Sequence, residues 1–224
     1  MKLAVQMTCS VAFGIAFFGL ALFWPAGTFH YWQAWVFIAI FMGSSIVPSA
    51  YLAVKNPAAL QRRMHAGPTA ESRPAQRIII TATVLLVAAT LVISAFDHRF
   101  GWSNVPLAFV VIGDVLVAVG LIVAQLVIIQ NGYASAKITV EADQPLVSTG
   151  LYGVVRHPMY LGVVVNMVGT PLALDSLWGF VTVALAVPVL AARIVDEERM
   201  LVDELTGYPE YTTRVRSRLI PYVW

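Results

Sequence analysis

Long apolar runs dominate the chain and constrain its fold more than any other feature. Six of them stand out, and the first four approach the ~20 residues that a helix needs to cross a bilayer. They cover residues 3–24, 32–54, 78–96, 106–129, 159–174 and 177–195. Because the lipid core offers no water to backbone N–H and C=O groups, a membrane segment has to satisfy them internally, as an α-helix does. The runs therefore predict an all-α integral membrane bundle of about six transmembrane helices.

Composition excludes several other classes of protein. Of the 224 residues, 59% are hydrophobic and 12% are charged, whereas a soluble domain usually contains about 25% charged residues. The net charge of +2 is too small to predict nucleic-acid binding. The single cysteine, Cys9, excludes an internal disulfide or a cysteine-rich metal site. The four histidines lack the spacing of metal ligands, so no metal is expected.

Basic residues predict the orientation of the bundle. The loop at 55–77 carries five Lys or Arg residues against one acid, Glu71. On the other side, the connections around residues 25–30, 97–105 and 175 contain a single arginine. By the positive-inside rule, the loops at 55–77 and 130–156 and both termini face the cytoplasm. The expected location is a bacterial inner or cell membrane.

Polar residues are concentrated after residue 129, and this divides the chain. Residues 1–130 are predicted to form a transmembrane scaffold of four helices, and residues 131–224 a C-terminal catalytic region of the same membrane domain. Only Asp175 and Ser176 separate the last two apolar runs, which predicts a tight helical hairpin. After residue 195, acidic and apolar residues fall on different faces, as in an amphipathic tail helix on the cytoplasmic surface.

The segment YGVVRHPMYLG, at residues 152–162, places polar side chains at the start of an apolar run. Its proline suits the first turn of a helix, which puts His157 at the helix N-terminus and Tyr160 on the same face. Unpaired N–H groups there favour an anion. Arg193 and Glu197 are one turn apart on the other arm of the hairpin, so a closed hairpin creates one polar pocket. The alternative is a set of interface anchors with an ordinary helix ion pair.

Three separated pieces of the C-terminal region carry a resemblance to a known family. RHPMYLG, the later EERML and the tail YPEYTTRVRSRLIP resemble, in order and spacing, the pattern of the isoprenylcysteine carboxyl methyltransferase and phospholipid methyltransferase superfamily. The resemblance covers about residues 144–224. It implies an integral membrane methyltransferase that uses S-adenosylmethionine. It also implies a cofactor pocket built from the C-terminal hairpin and the adjoining cytoplasmic segments.

The resemblance further implies roles for individual residues. The cofactor-binding positions are Gln144, Pro145, Leu146, Val147, Tyr152, His157, Pro158, Met159, Tyr160 and Glu197. Arg193 matches an arginine that holds the substrate, so Arg193 and Glu197 are the expected catalytic residues. The helix N-terminus suits the cofactor's carboxylate, Glu197 its ammonium or hydroxyls, and tyrosine faces its sulfonium. If the acceptor is a neutral amine, Asp196 or Glu198 is expected to take its proton.

Several functions stay open at this point. A lipophilic carboxylate is the expected acceptor, because the planar fork of Arg193 suits a carboxylate, and a phospholipid amine or a small thiol is the alternative. A sterol-type NADPH-dependent membrane reductase has a similar C-terminal region, but Met159 and the adjacent Glu197 and Glu198 favour methyl transfer. A transporter or scaffold predicts polar residues along a mid-membrane path, whereas these cluster at one edge. Asp114, an acid within the fourth run, is expected to play a structural role.

Overall fold

The computed structural model describes residues 2–64, 71, 73–134, 139–140 and 144–224, without the side chains of residues 2–4, and these residues form helices and no strand. The helices are α1 (Lys2–Ala26), α2 (Trp32–Lys55), α3 (Pro57–Met64), α4 (Pro74–Phe100), α5 (Leu107–Gln130), a 3-10 turn (Gly150–Gly153), α6 (Pro158–Ala173), α7 (Gly179–Glu204) and α8 (Tyr208–Arg214). The predicted all-α fold is confirmed.

Five helices, α1, α2, α4, α5 and α7, are long and apolar enough to cross a membrane, and α6 is a shorter apolar helix of 16 residues. The six predicted runs thus correspond to five long helices and one short one. The largest difference lies in α7, which continues to Glu204 instead of ending at residue 195. Residues 196–204 contain no proline or glycine to end the helix. The predicted tail helix is therefore the last part of α7, followed by the short α8.

The bundle has two distinct ends. We term the end that carries the start of α6 and the last residues of α2, α5 and α7 the motif end, and the opposite one the hairpin end. At the hairpin end, residues 174–178 join α6 to α7. Ser176 Oγ donates to Asp97 Oδ2 of α4 at 2.6 Å, and the Tyr31 hydroxyl donates to the Leu174 carbonyl oxygen at 2.6 Å. The predicted hairpin is therefore present, and it reaches the loops at the far end of the bundle.

Glycines bring α5 and α6 into backbone contact. Gly113 and Gly120 of α5 face Gly169 and Gly162 of α6. A Cβ atom on Gly120 would lie 2.5 Å from the Gly162 carbonyl oxygen, and one on Gly169 would lie 2.7 Å from that of Gly113. Small residues allow helix backbones in a membrane to approach this closely. The contact fixes the height and rotation of α6, and with them the position of His157 just before it.

Candidate functional site

The C-terminal tail fixes the residues that precede α6. The backbone N–H groups of Arg156 and His157 donate to the carbonyl oxygens of Ser217 and Arg218 at 3.0 and 2.9 Å. The Arg156 guanidinium donates to two further carbonyl oxygens of the tail at 3.0 and 2.8 Å. Pro158 then begins the helix and His157 is its N-cap residue, in agreement with the sequence. Arg156 is buried and holds the tail, a role that the sequence did not reveal.

The buried carboxylate of Glu198 on α7 connects the residues before α6 to the C-terminal tail. Its Oε1 accepts a hydrogen bond from Arg156 Nε at 2.6 Å and lies 3.2 Å from His157 Nε2. Its Oε2 accepts from Arg218 Nε at 2.6 Å. Both carboxylate oxygens are therefore engaged with cationic or polar groups. This arrangement makes Glu198 an organising residue and disfavours the expected role as a proton acceptor.

Tyr160 connects the two arms of the hairpin. Its hydroxyl donates to Glu197 Oε2 at 2.6 Å and accepts from Arg193 Nε at 2.9 Å. The His157 ring lies beside it, with ring centroids 5.7 Å apart. The side chains that the closed hairpin was expected to bring together thus form one continuous chain of contacts, from the N-terminus of α6 to Glu197 and Arg193.

Arg193 already holds a carboxylate from the N-terminal half of the chain. Both terminal nitrogens of its guanidinium donate to Glu71 Oε1 at 3.3 Å, and Nη1 also donates to Gln76 Oε1 at 2.9 Å. Arg193 is 6% exposed and Glu71 is 2% exposed. Arg193 is the residue expected to hold the substrate, and in the structure Glu71 and Gln76 occupy its guanidinium; its substrate role stays a prediction. The sequence did not predict the pairing of Arg193 with Glu71, because 122 residues separate them.

Asp196, the other expected proton acceptor, faces the start of α4. Its Oδ1 accepts from Arg73 Nη2 at 2.8 Å, and its Oδ2 accepts from the Gln76 amide. Consecutive acids on α7 therefore point to different partners: Asp196 to α4, Glu197 to Tyr160 and Glu198 to the tail. This division disfavours Asp196 as a base.

An open cavity of about 790 Å³ lies beside Tyr160 at the motif end. All ten residues that the resemblance assigns to the cofactor line this cavity: Gln144, Pro145, Leu146, Val147, Tyr152, His157, Pro158, Met159, Tyr160 and Glu197. Arg193 does not line it. The fold thus gathers the predicted set from three separate segments, and their part in binding stays a prediction.

Further wall residues were not predicted from the sequence. Asn131 donates to the Tyr152 hydroxyl at 3.2 Å, and the Tyr211 hydroxyl donates to the Tyr152 carbonyl oxygen at 2.6 Å. Tyr208 is 3% exposed, and among the described residues its hydroxyl has no hydrogen-bond partner. Burial raises the pKa of Tyr152 to about 12 and also raises the pKa of Tyr208, so both remain donors at neutral pH. In the sequence, only the position of Tyr208 and Tyr211 within the tail motif YPEYTTRVRSRLIP could have indicated that they line the cavity.

A second, apolar cavity of about 920 Å³ lies inside the bundle. Gly162 and Val163 of α6 line it, together with aromatic residues of α1 and α2, and no charged side chain of the described residues does. Val163 is one turn beyond Tyr160. A hydrocarbon chain in this cavity would therefore end close to the polar contacts of the hairpin.

The intramembrane acid Asp114 lies away from both cavities. It follows Gly113, whose neighbours are Leu172 and Ala173 at the hairpin end. Asp114 is buried and belongs to neither cavity wall. The position agrees with the structural role expected from the sequence, although that role stays a prediction.

The fold and the cavity define an integral membrane helical protein with an open cavity of mixed polar and apolar lining at one end of its bundle. Comparison with known proteins narrows this class. Residues 108–206 match the family described as phospholipid methyltransferase. Together with the relatives below, this match confirms the predicted resemblance to the isoprenylcysteine carboxyl and phospholipid methyltransferase superfamily.

Two similar curated proteins come from Arabidopsis thaliana. Protein-S-isoprenylcysteine O-methyltransferase B is 29% identical over 123 residues, which is 54% of this chain and 60% of that protein. Protein-S-isoprenylcysteine O-methyltransferase A is 31% identical over 116 residues, which is 50% of this chain and 58% of that protein. The chain thus matches these curated relatives over 58–60% of their length.

A solved structure shares the fold. The eukaryotic intramembrane Ras methyltransferase, isoprenylcysteine carboxyl methyltransferase, aligns with a TM-score of 0.52 and 16% sequence identity. The alignment covers 100% of this chain and 88% of that one. At this identity the likeness concerns the fold, and it confirms the membrane helical architecture.

Proposed function

We propose that the protein transfers the methyl group of S-adenosylmethionine to a lipophilic acceptor at the cytoplasmic face of its membrane. The observation that carries this proposal is the single cavity lined by all ten motif residues. The names of the curated relatives, both O-methyltransferases, support it. The excess of basic residues in the 55–77 loop and the tail supports the cytoplasmic orientation.

The cavity wall suits the polar groups of S-adenosylmethionine. The N-terminus of α6, with His157 as its N-cap residue, offers N–H groups to a carboxylate. Glu197 offers an acceptor for an ammonium group or ribose hydroxyls. The Tyr208 hydroxyl, which has no partner among the described residues, offers one more hydrogen bond. Leu201 and its apolar neighbours supply a surface for the adenine ring.

Bound S-adenosylmethionine supplies an electrophilic methyl group on a sulfonium. Methyl transfer is an in-line displacement, so the protein contributes position and the exclusion of water. A carboxylate acceptor attacks through an oxygen that is already charged and needs no general base. This requirement agrees with the engagement of Asp196 and Glu198 by other partners.

For the acceptor we propose a lipid carboxylate, such as a prenylcysteine-like acid, which becomes a methyl ester. Its chain would occupy the apolar cavity, whose wall begins one turn from Tyr160. Its carboxylate would exchange with Glu71 on the Arg193 fork. Glu71 Oε2 has no hydrogen-bond partner among the described residues, and both contacts of Glu71 with Arg193 use Oε1.

A phospholipid amine is the second candidate acceptor. The family match favours it. The local charge favours it as well. Among the described residues of the Tyr160 contact chain, the two carboxylates Glu71 and Glu197 lie near one arginine, Arg193. Acidic surroundings of this kind suit a cationic headgroup. A small thiol has no comparable observation in its favour.

Calorimetric titration of the purified protein with S-adenosylhomocysteine and, separately, NADPH tests the cofactor. We expect S-adenosylhomocysteine to bind with roughly micromolar affinity and NADPH not to bind. Glu197→Gln should weaken binding of S-adenosylhomocysteine, whereas Glu204→Gln, an exposed change on the same helix, should not. Binding of NADPH alone would assign a reductase instead.

Radiolabelled methyl transfer to prenylcysteine acids, fatty acids, lipid amines and thiols tests the acceptor. A carboxylate acceptor gives a methyl ester that base hydrolyses. Arg193→Lys should lose most of the turnover while S-adenosylhomocysteine binding survives, because a point charge replaces the planar fork. Base-stable product from amines alone would select the second candidate and leave the methyltransferase proposal standing.

A further inference from the structure

A third cavity, of about 960 Å³, lies between α1, α2 and α3. Apolar side chains of α1 and α2, among them Met7, Val11 and Ile46, line its length, and Arg63 of α3 lines it at the motif end. It shares no wall residue with the cavity proposed for the cofactor. We term it the α1–α3 groove. A mostly apolar wall with three serines and, among the described residues, one cation calls for a separate explanation.

Arg63 is the charged group of this groove, and its hydrogen bonding is incomplete. Its Nη1 donates to Gln125 Oε1 of α5 at 3.2 Å. A guanidinium has five N–H donors, and among the described residues Arg63 pairs with no carboxylate. Burial lowers the pKa of Arg63, as expected for a poorly solvated cation. Its neighbour Arg62 differs, because it donates to the Gly132 carbonyl oxygen and lies over a tyrosine ring.

Gln125 of α5 is the residue that accepts the hydrogen bond of Arg63. It is 2% exposed, and its Nε2 has no hydrogen-bond partner among the described residues. Its Oε1 is taken by Arg63. Gln125 lies five residues before the end of α5, which is roughly 7 Å along the helix axis. Gln125 is not among the residues that line the groove, so Arg63 presents the donors to it, near the boundary between hydrocarbon and headgroups, where buried donors require an acceptor.

We propose that the α1–α3 groove binds an anionic phospholipid, with its phosphate on Arg63 and an acyl chain along α1 and α2. Phosphate oxygens accept several hydrogen bonds at once, and the arginine fork binds them bidentately. The apolar wall matches the chain. The charge complementarity between a phosphate and Arg63 selects an anionic lipid over a second protein helix.

Packed side chains connect the wall of the α1–α3 groove to the wall of the cofactor cavity. Leu60 of α3 and Ile128 of α5 belong to one buried cluster, and Met64 and Met159 pack against it. Met159 lines the cofactor cavity, whereas Leu60 and Met64 line the α1–α3 groove. A lipid that orders the groove therefore supports one wall of the cofactor cavity.

Lipid titration of the purified, delipidated full chain tests the proposal. Native mass spectrometry and thermal unfolding are measured with dioleoyl phosphatidylglycerol, with the dioleoylglycerol that lacks its phosphate, and with inorganic phosphate. We expect saturable binding of one phosphatidylglycerol and a rise of several degrees in the unfolding midpoint, and neither effect from the other two probes. Arg63→Gln should weaken the Kd at least about tenfold. Lys55→Gln, an exposed change at the end of α2, should leave it unaltered.

Gln125→Glu is the second variant. It gives Arg63 an internal carboxylate, so phosphatidylglycerol binding should fall while the midpoint without lipid stays equal or rises. Equal affinity in the wild type and both variants would overturn the proposal. Dioleoylglycerol binding as tightly as phosphatidylglycerol would overturn it as well, and so would inorganic phosphate binding as tightly on its own. None of these measurements depends on methyl transfer, so their failure leaves the proposed function untouched.

Discussion

Both ends of the bundle bury carboxylates, but they satisfy them in different ways. At the hairpin end, Asp97 is fully buried and accepts hydrogen bonds from neutral donors: Ser103 N at 2.7 Å, Ser103 Oγ at 2.5 Å and Ser176 Oγ at 2.6 Å. At the motif end, Glu198 lies between two arginines and Glu71 lies against a third. Neutral donors hold the first carboxylate, and cations hold the others.

The hairpin end therefore has the features of a structural contact, and the motif end has the features of a ligand-binding site. Asp97 ties the end of α4 to the following loop and to the hairpin turn, with donors from short side chains and backbone. Ion pairs at the motif end instead put charges of both signs beside a cavity of about 790 Å³. A charged substrate or cofactor needs such charges, whereas a turn does not. We therefore expect changes at the hairpin end to affect stability alone, and changes at the motif end to affect stability and ligand binding together.

The largest effect is expected for Glu198→Ala. Removing one partner of a buried ion pair costs about 3–5 kcal/mol, and here Arg156 would lose its carboxylate. The unfolding midpoint should fall steeply, and S-adenosylhomocysteine binding should be lost with it. Glu210→Ala, on an exposed residue of α8, is the matched control. A midpoint equal to that of the wild type would remove Glu198 from its organising role.

Asp97→Ala tests whether the hairpin end affects stability without affecting ligand binding at the motif end. The change leaves donors of half-buried Ser103 and buried Ser176 without their acceptor, at a cost of about 2–3 kcal/mol. Thermal unfolding should report this loss, while the Kd for S-adenosylhomocysteine at low temperature should match the wild type. A fall in affinity parallel to the fall in stability would show that the two ends are not independent.

Gly162→Ala tests the contact that positions α6. Its Cβ would lie 2.6 Å from the Gly120 carbonyl oxygen, and overpacking of this kind costs about 1–3 kcal/mol. Because α6 carries Tyr160, the affinity for S-adenosylhomocysteine should fall as well. Gly43→Ala is the control, since nothing lies within 4 Å of its added Cβ. Equal behaviour of the two variants in unfolding and titration would exclude the packing argument.

Tyr208→Phe should have the smallest effect and the most selective one. The hydroxyl has no partner among the described residues, so its removal should leave the stability of the free protein unchanged or slightly higher. If the cofactor bonds this hydroxyl, the Kd for S-adenosylhomocysteine should weaken about threefold to tenfold, as for a typical hydrogen bond. Tyr222→Phe, on a fully exposed residue, should change neither quantity. An unaltered Kd in Tyr208→Phe would exclude a hydrogen bond between the Tyr208 hydroxyl and the cofactor.

By itself the sequence determined the membrane helical fold and the neighbourhood of the site. Both rest on local properties. A run of apolar residues must satisfy its own backbone in lipid, and a proline before such a run begins a helix whose N-terminus binds anions. The set from Tyr152 to Glu197 lies within one hairpin and its approach, so its members meet once the hairpin closes.

Only the tertiary structure decided which charges pair. Arg193 meets Glu71 across 122 residues, and Glu198 meets Arg156 across 42. Three consecutive acids on α7 point to three different partners, which no spacing in the sequence distinguishes. The Tyr208 hydroxyl became a candidate only because the folded chain buries it in a cavity wall. Pairing in a low-dielectric interior depends on distances through space, and those arise only when distant segments pack.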